Sequence, residues 1–117
     1  MRHGASSVVA ALLSLASGVG LPPALAEGAA GAISWGESYA AALERAEADG
    51  KPVLVDVWAV WCVPCKEMDE TTYRDPLVVR EAAGFVPLKV DADVATSFVE
   101  RYRVDAYPTL LFLDGRG

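Results

Sequence analysis

The run Val53-Leu54-Val55-Asp56-Val57-Trp58-Ala59 is apolar on both faces except for one acid, and three residues later the chain reads Cys62-Val63-Pro64-Cys65. A half-exposed strand would alternate apolar and polar residues, so this one belongs in the middle of a sheet with both faces covered. The rest of the chain must supply the neighbouring strands and the covering helices. With 117 residues there is room for one such domain, not for a repeat array or a multidomain enzyme. Sixteen acidic against ten basic side chains give a formal net charge of −6, with no Lys/Arg cluster. Nucleic acid is therefore not an expected partner.

The start of the chain reads as a targeting segment. Arg2 gives a positive start, Val8 to Ala16 is apolar, Pro22-Pro23 breaks the run, and Ala24-Leu25-Ala26 places small residues where signal peptidase reads. Residues 1–26 are expected to be a secretory signal peptide cleaved after Ala26. As an uncleaved anchor the run from Val8 to Leu21 falls short of the roughly 20 residues a bilayer span needs. Residues 27–32 read as a flexible linker and 33–117 as the domain. The expected location is periplasmic or otherwise exported, where thiols tend to be oxidised, with no membrane span left after cleavage.

Along the domain the element types alternate. Ile33-Ser34-Trp35 reads as a brief strand. Ser38 to Asp49 carries Tyr39, Ala42, Leu43 and Ala46 at helical spacing and stops at Gly50. After the Val53–Ala59 strand, Pro64 to Thr71 reads as a helix. Asp75-Pro76, a side-chain cap followed by a first-turn proline, starts another that runs to about Ala83. Phe85 to Val90 is a strand with Pro87 near its start. Val94, Phe98 and Tyr102 stand four apart on one helix face, with Asp93 as the cap. Thr109 to Leu113 is the last strand, and Asp114-Gly115 is a hairpin turn signal. The fold class is α/β, a layered domain with helices about a sheet.

The chemistry lies at the cysteines. Two of them three apart, at the start of a helix that follows a buried strand, put the first sulfur over the helix N-terminus and the second one turn inside. A helix N-terminus stabilises an anion by up to ~2 kcal/mol in partly buried geometry. That is enough to lower a thiol from about 8.5 to near 7. Cys62 would then attack a disulfide as a thiolate, and Cys65 would resolve the mixed disulfide. Three blander readings compete. A structural disulfide here would close too small a loop to constrain the unfolded chain much. A zinc site needs about four ligands, whereas the chain beyond residue 26 offers two cysteines and no histidine. The third reading is two ordinary core cysteines, against which stands the strand-to-helix context.

Trp61-Cys62-Val63-Pro64-Cys65-Lys66 after Val55-Asp56-Val57-Trp58-Ala59, with Ala106-Tyr107-Pro108-Thr109-Leu110 downstream, resembles the thioredoxin superfamily. Lys51-Pro52-Val53, Cys65-Lys66-Glu67 with Asp75-Pro76 ten residues on, and Lys89-Val90-Asp91 look like the periplasmic thioredoxin-like domains typified by the C-terminal domain of the membrane thiol:disulfide interchange protein DsbD. The resemblance implies a thioredoxin-like fold with a central mixed sheet. It implies a redox-active Cys62–Cys65 disulfide with Val63 and Pro64 between the two cysteines as supporting residues. Pro108 matches the family's cis-proline, beside which Tyr107 would offer main-chain groups to an extended peptide. Trp61 matches the tryptophan bordering the substrate groove. Asp56 matches a buried acid, and as the one charge in an apolar strand it would favour the neutral form and exchange a proton with Cys65. Otherwise it is an acid at a wet sheet end. Lys89 matches the neighbouring lysine and would pair with Asp56, or else it is a solvated strand-end residue. The resemblance also implies one more strand and a final helix after Asp114-Gly115. The sequence stops at Gly117, so the domain is expected to be C-terminally truncated, with a raw edge at the last strand.

The other aromatics read as packing. Trp58, Tyr39, Phe98, Tyr102 and Phe112 are expected in the core, with no sign of a cofactor-binding pattern. Lys66 and Glu67 read as a solvated helix face, and Asp91 with Asp93 is weak evidence for a metal. Pro64 stands where strongly oxidising members of the superfamily carry histidine, which favours a protein-disulfide reductase. The implied partners are exported proteins with unwanted disulfides, apocytochromes awaiting haem among them, and a membrane thiol electron donor of the DsbD type. A thiol oxidase or isomerase would use the same residues, and a non-catalytic carrier could hold Cu(I) on two thiolates.

Overall fold

The computed structural model describes residues 31–117. The expected signal peptide, and all of the expected linker but its last two residues, lie outside them. Helix α1 spans Tyr39–Asp49. Ser38 caps it, its side chain accepting from the Ala41 amide at 3.2 Å, and Gly50 ends it at φ 63°, a left-handed conformation that favours glycine. Ala42 and Ala46 are its buried face. Strand β1, Val53–Trp58, follows, then helix α2, Val63–Glu70, a 3₁₀ turn at Thr72–Arg74, and helix α3, Pro76–Ala82. Asp75 caps α3 by accepting from the Leu77 amide at 2.8 Å, as the Asp75-Pro76 pair predicts. Strand β2 is Val86–Asp91, helix α4 is Thr96–Arg101 and strand β3 is Thr109–Leu113.

The three strands are ordered β2-β1-β3, with β1 parallel to β2 and antiparallel to β3. The sheet is mixed and β1 is central, as the apolar run on both its faces demands. Its alternate residues part cleanly. Val53, Val55 and Val57 have no exposed surface and form the core with Leu88, Val90, Ala42, Ala46 and Phe98. Leu54, Asp56 and Trp58 point to the opposite face. The register sets Asp56 beside Lys89 of β2 and Leu110 of β3.

Four sequence expectations change. Ile33-Ser34-Trp35 is not a strand: the segment makes a single parallel bridge at Gly36 to Leu88, held by the Gly36 amide on the Pro87 carbonyl at 2.9 Å. Val94 does not belong to a helix face. The Asp91 carbonyl accepts from both the Val94 and Ala95 amides, forming a tight turn that delays α4 to Thr96 and leaves Val94 79% exposed. Asp93 is consequently not the cap of α4, whose N-cap is Ala95 without a side-chain bond. Phe112 is not core either: it lies on the outer row of β3, 63% exposed, with its ring against Phe85. Among the described residues β3 pairs with β1 alone.

Candidate active site

The site forms where β1 runs into α2. Ala59, at the end of the strand, is fully buried, and its carbonyl accepts from the Cys62 amide at 3.1 Å, closing a tight turn through exposed Val60 and Trp61. Cys62 is thereby the N-cap of α2. Val63 and Pro64 occupy the first turn, where proline's missing N–H and fixed φ suit the helix start. The Cys65 amide donates to Cys62 Sγ at 3.2 Å, so the sulfur takes the place that a serine or aspartate oxygen takes at an ordinary N-cap. Cys62 and Cys65 are joined in a disulfide with their Cα atoms 5.3 Å apart. Both are buried, at 3% and 1% exposure, so in the oxidised form the expected contrast between an outer and an inner cysteine is slight.

Around the disulfide stands an apolar collar. Trp61 and Val63 are more than half exposed, and the Trp61 indole meets the Tyr107 ring edge to face at 5.6 Å. Tyr107 packs on the cysteine pair together with Trp58. The Tyr107–Pro108 peptide bond is cis, and Thr109, next in the chain, turns its hydroxyl back to the Ala106 carbonyl. Asp93, displaced from its expected helix cap, accepts instead from the Trp61 indole N–H, at 3.1 Å to its nearer oxygen.

A charged layer lies on the face of β1 that carries Trp58. Asp56 is 1% exposed, and Lys89 Nζ stands 3.0 Å from its Oδ2. This is an ion-pair contact without hydrogen-bond geometry, so both carboxylate oxygens remain without a hydrogen-bond donor. Lys89 also reaches Asp69 of α2 and lies over the rings of Trp35, Trp58 and Tyr73, at 5.3, 5.8 and 5.2 Å from their centroids. A cation surrounded by three rings and two carboxylates is held by quadrupole and charge together. Tyr73, on the 3₁₀ turn, is buried with its ring against Trp35. Burial above all, then the nearby charges of Asp56 and Asp69, push its phenol well above the ordinary value.

The fold therefore brings Cys62, Val63, Pro64, Cys65, Trp61, Tyr107 and Pro108 to one end of β1, and pairs Asp56 with Lys89 alongside. Asp69, Tyr73 and Trp35 complete the site without having been read as site residues in the sequence, and Asp93, expected as a helix cap, joins them through the Trp61 indole. Asp69 alone carried a local signal: it stands four residues after Cys65, one helical turn along the same face.

A family profile described as Thioredoxin-like matches residues 34–115. The chain belongs to the thioredoxin-like family. Thiol:disulfide interchange protein DsbD of Escherichia coli K12 is 42% identical over 77 residues, which are 61% of this chain and 13% of that protein, so the chain spans about an eighth of the length of such relatives. Among solved structures, a candidate disulphide-isomerase from Bacteroides thetaiotaomicron aligns with TM-score 0.65 at 38% identity, covering 74% of each chain. A thioredoxin from Thermus thermophilus aligns with TM-score 0.63 at 33% identity, covering 69% of this chain and 64% of that one. The thioredoxin-like fold implied by the motif order is thus the fold of this chain, and a Cys62–Cys65 disulfide stands in it. Among the described residues no helix is long and apolar enough to cross a membrane.

Proposed function

We propose that the chain reduces protein disulfides in the periplasm. The observation that carries this reading is the Cys65 amide aimed at Cys62 Sγ, at the start of α2. The same amide and helix N-terminus favour a Cys62 thiolate once the disulfide is opened. In the reduced protein that thiolate attacks one sulfur of a client disulfide, forming a Cys62–client bond and expelling the other client sulfur as a thiolate. Cys65 then loses its proton, to Asp56 in this reading, and attacks Cys62 Sγ. The second client sulfur leaves, and two electrons have passed to the client while Cys62–Cys65 is oxidised. The exposed Trp61 and Val63, with Tyr107 beside cis Pro108, form a groove wall suited to an extended peptide. Lys89 holds Asp56 in place.

Pro64 before the second cysteine supports the reducing direction, since no histidine stabilises the thiolate there. The names of the DsbD relatives support an interchange role. A signal peptide over residues 1–26 would deliver the chain to the periplasm, where a membrane dithiol donor of the DsbD type would recharge it and exported proteins, apocytochromes among them, would be clients.

Insulin reduction with dithiothreitol tests the cysteine assignments. Cys62→Ser is expected to abolish turnover, and Cys65→Ser to accumulate mixed disulfides with clients. Full turnover in Cys62→Ser would overturn the assignment. Alkylation trapping across a glutathione series gives the potential, and a value among the strong oxidants near about −120 mV would reverse the direction.

A further inference from the structure

Tyr73 carries a polar group that the proposed exchange does not use. It is 6% exposed, and its hydroxyl is buried without a hydrogen-bond partner. Both oxygens of Asp56 are buried in the same condition, apart from the ion-pair contact with Lys89. The two groups are neighbours: Lys89 Nζ, 3.0 Å from Asp56 Oδ2, lies 5.2 Å from the Tyr73 ring centroid, and the charge of Asp56 bears on the phenol. Orphaned buried polar groups are costly, and here each lacks what the other has. A phenol has one proton to donate, and an ionised carboxylate only accepts.

We propose that Tyr73 is the hydrogen-bond donor to ionised Asp56 and acts as a positioning residue that sets the pH at which Asp56 exchanges a proton with Cys65. The second half rests on the proposed reduction of disulfides; the first does not. Against Asp56, β2 presents Lys89, α2 presents Asp69 and the cysteine pair, the 3₁₀ turn presents Tyr73, and β3 has Leu110 in register and no titratable side chain. Lys89 is shared with Asp69, and Tyr73 is the neighbouring neutral donor left without a partner of its own. A bond to the ionised form favours that form, and its loss should extend the protonated form to higher pH.

The test is a carbon-13 titration of the side-chain carboxyls in the full chain, with Asp56 assigned through Asp56→Asn. In Tyr73→Phe the Asp56 midpoint is expected to rise by about one pH unit, the differential of one hydrogen bond to a carboxylate, while Asp69 stays in place. An unmoved Asp56 midpoint overturns the proposal. Should Tyr73→Phe fail to fold, the unsubstituted chain decides: the Tyr73 ring carbon bearing the hydroxyl must follow the Asp56 titration, and indifference overturns the bond. In insulin reduction the acid limb of the rate should move up with the midpoint, and a moved midpoint with an unmoved limb overturns the positioning role. An unsubstituted chain that reduces no disulfide refutes the proposed function instead, and the titration still decides the Tyr73–Asp56 bond.

Discussion

Replacing Lys89 by methionine isolates the energetics of the charged layer. Methionine keeps an unbranched apolar stem among Trp35, Trp58 and Tyr73, where its sulfur retains favourable contact with the rings. What disappears is the counter-charge of Asp56, in a pair where lysine is 15% and aspartate 1% exposed. Removing one partner of a buried pair costs about 3–5 kcal/mol, because the remaining charge is left uncompensated. The contact with Asp69 adds little, since that carboxylate is 44% exposed and a pair screened by solvent contributes about 0–1 kcal/mol. The expected loss is about 3 kcal/mol at neutral pH, or roughly 12–24 °C in Tm for a domain of this size. The deficit should narrow as the pH falls and the unpaired carboxyl takes up a proton. Asp56→Asn/Lys89→Met removes both charges and should recover stability to within about 1–2 kcal/mol of the unsubstituted chain. Urea melts of the three proteins across pH measure all of this. A loss under about 1 kcal/mol in Lys89→Met, or a double variant no more stable than the single one, would refute the reasoning.

Tyr73 and Tyr102 both have phenols raised above the ordinary 10.0, by burial first and by neighbouring oxygen groups next. A raised phenol contributes stability that is full below pH 10 and is lost as pH climbs toward the folded-state value. The chain should therefore lose stability in the alkaline range above about pH 10, and Tyr73→Phe should blunt that loss in a denaturant titration. Asp93→Asn weakens the grip on the Trp61 indole. It should change tryptophan fluorescence and raise KM for an insulin substrate a few-fold, while the potential of the cysteine pair holds; an altered potential with constant KM would argue against a role at the groove. Ser38→Ala removes the cap of α1 and should cost about 1 kcal/mol in urea, with no effect on alkylation of the reduced cysteines.

The parts of the fold legible in the sequence are those fixed by neighbours in sequence. Ser38, Gly50 and Asp75-Pro76 bound their helices because caps satisfy backbone groups two or three residues away. The apolar run of β1 and the Cys62–Cys65 spacing likewise hold their meaning locally. The start of α4 is not legible because Val94, Phe98 and Tyr102 keep helical spacing. The Asp91 carbonyl and carboxylate instead capture the amides of Asp93, Val94 and Ala95 in a turn, a competition between side chain and helix that periodicity does not register. The cage around Lys89 was beyond reach for a different reason. Trp35, Asp69 and Tyr73 come from three separate segments, and only the packing of α2 and the 3₁₀ turn against the sheet brings them together.

A buried ion pair is weak evidence of stability, since apolar side chains of similar volume in its place are often as stable or more so. The Asp56–Lys89 pair joins the central strand to β2, where such a replacement would be simple. The valines of the opposite face of β1 already show that the sheet packs well without charge. Stability therefore does not explain why an acid interrupts this strand two residues before Trp58, which packs on the cysteines. Under the proposed function proton exchange would, because an acid that is to serve the cysteines must be shielded from solvent and still held in place. The double variant Asp56→Asn/Lys89→Met separates the two explanations. If the charges serve the fold, its insulin reduction should recover along with its stability. If they serve the cysteines, the fold returns and the turnover, limited by release of the Cys65 proton, does not.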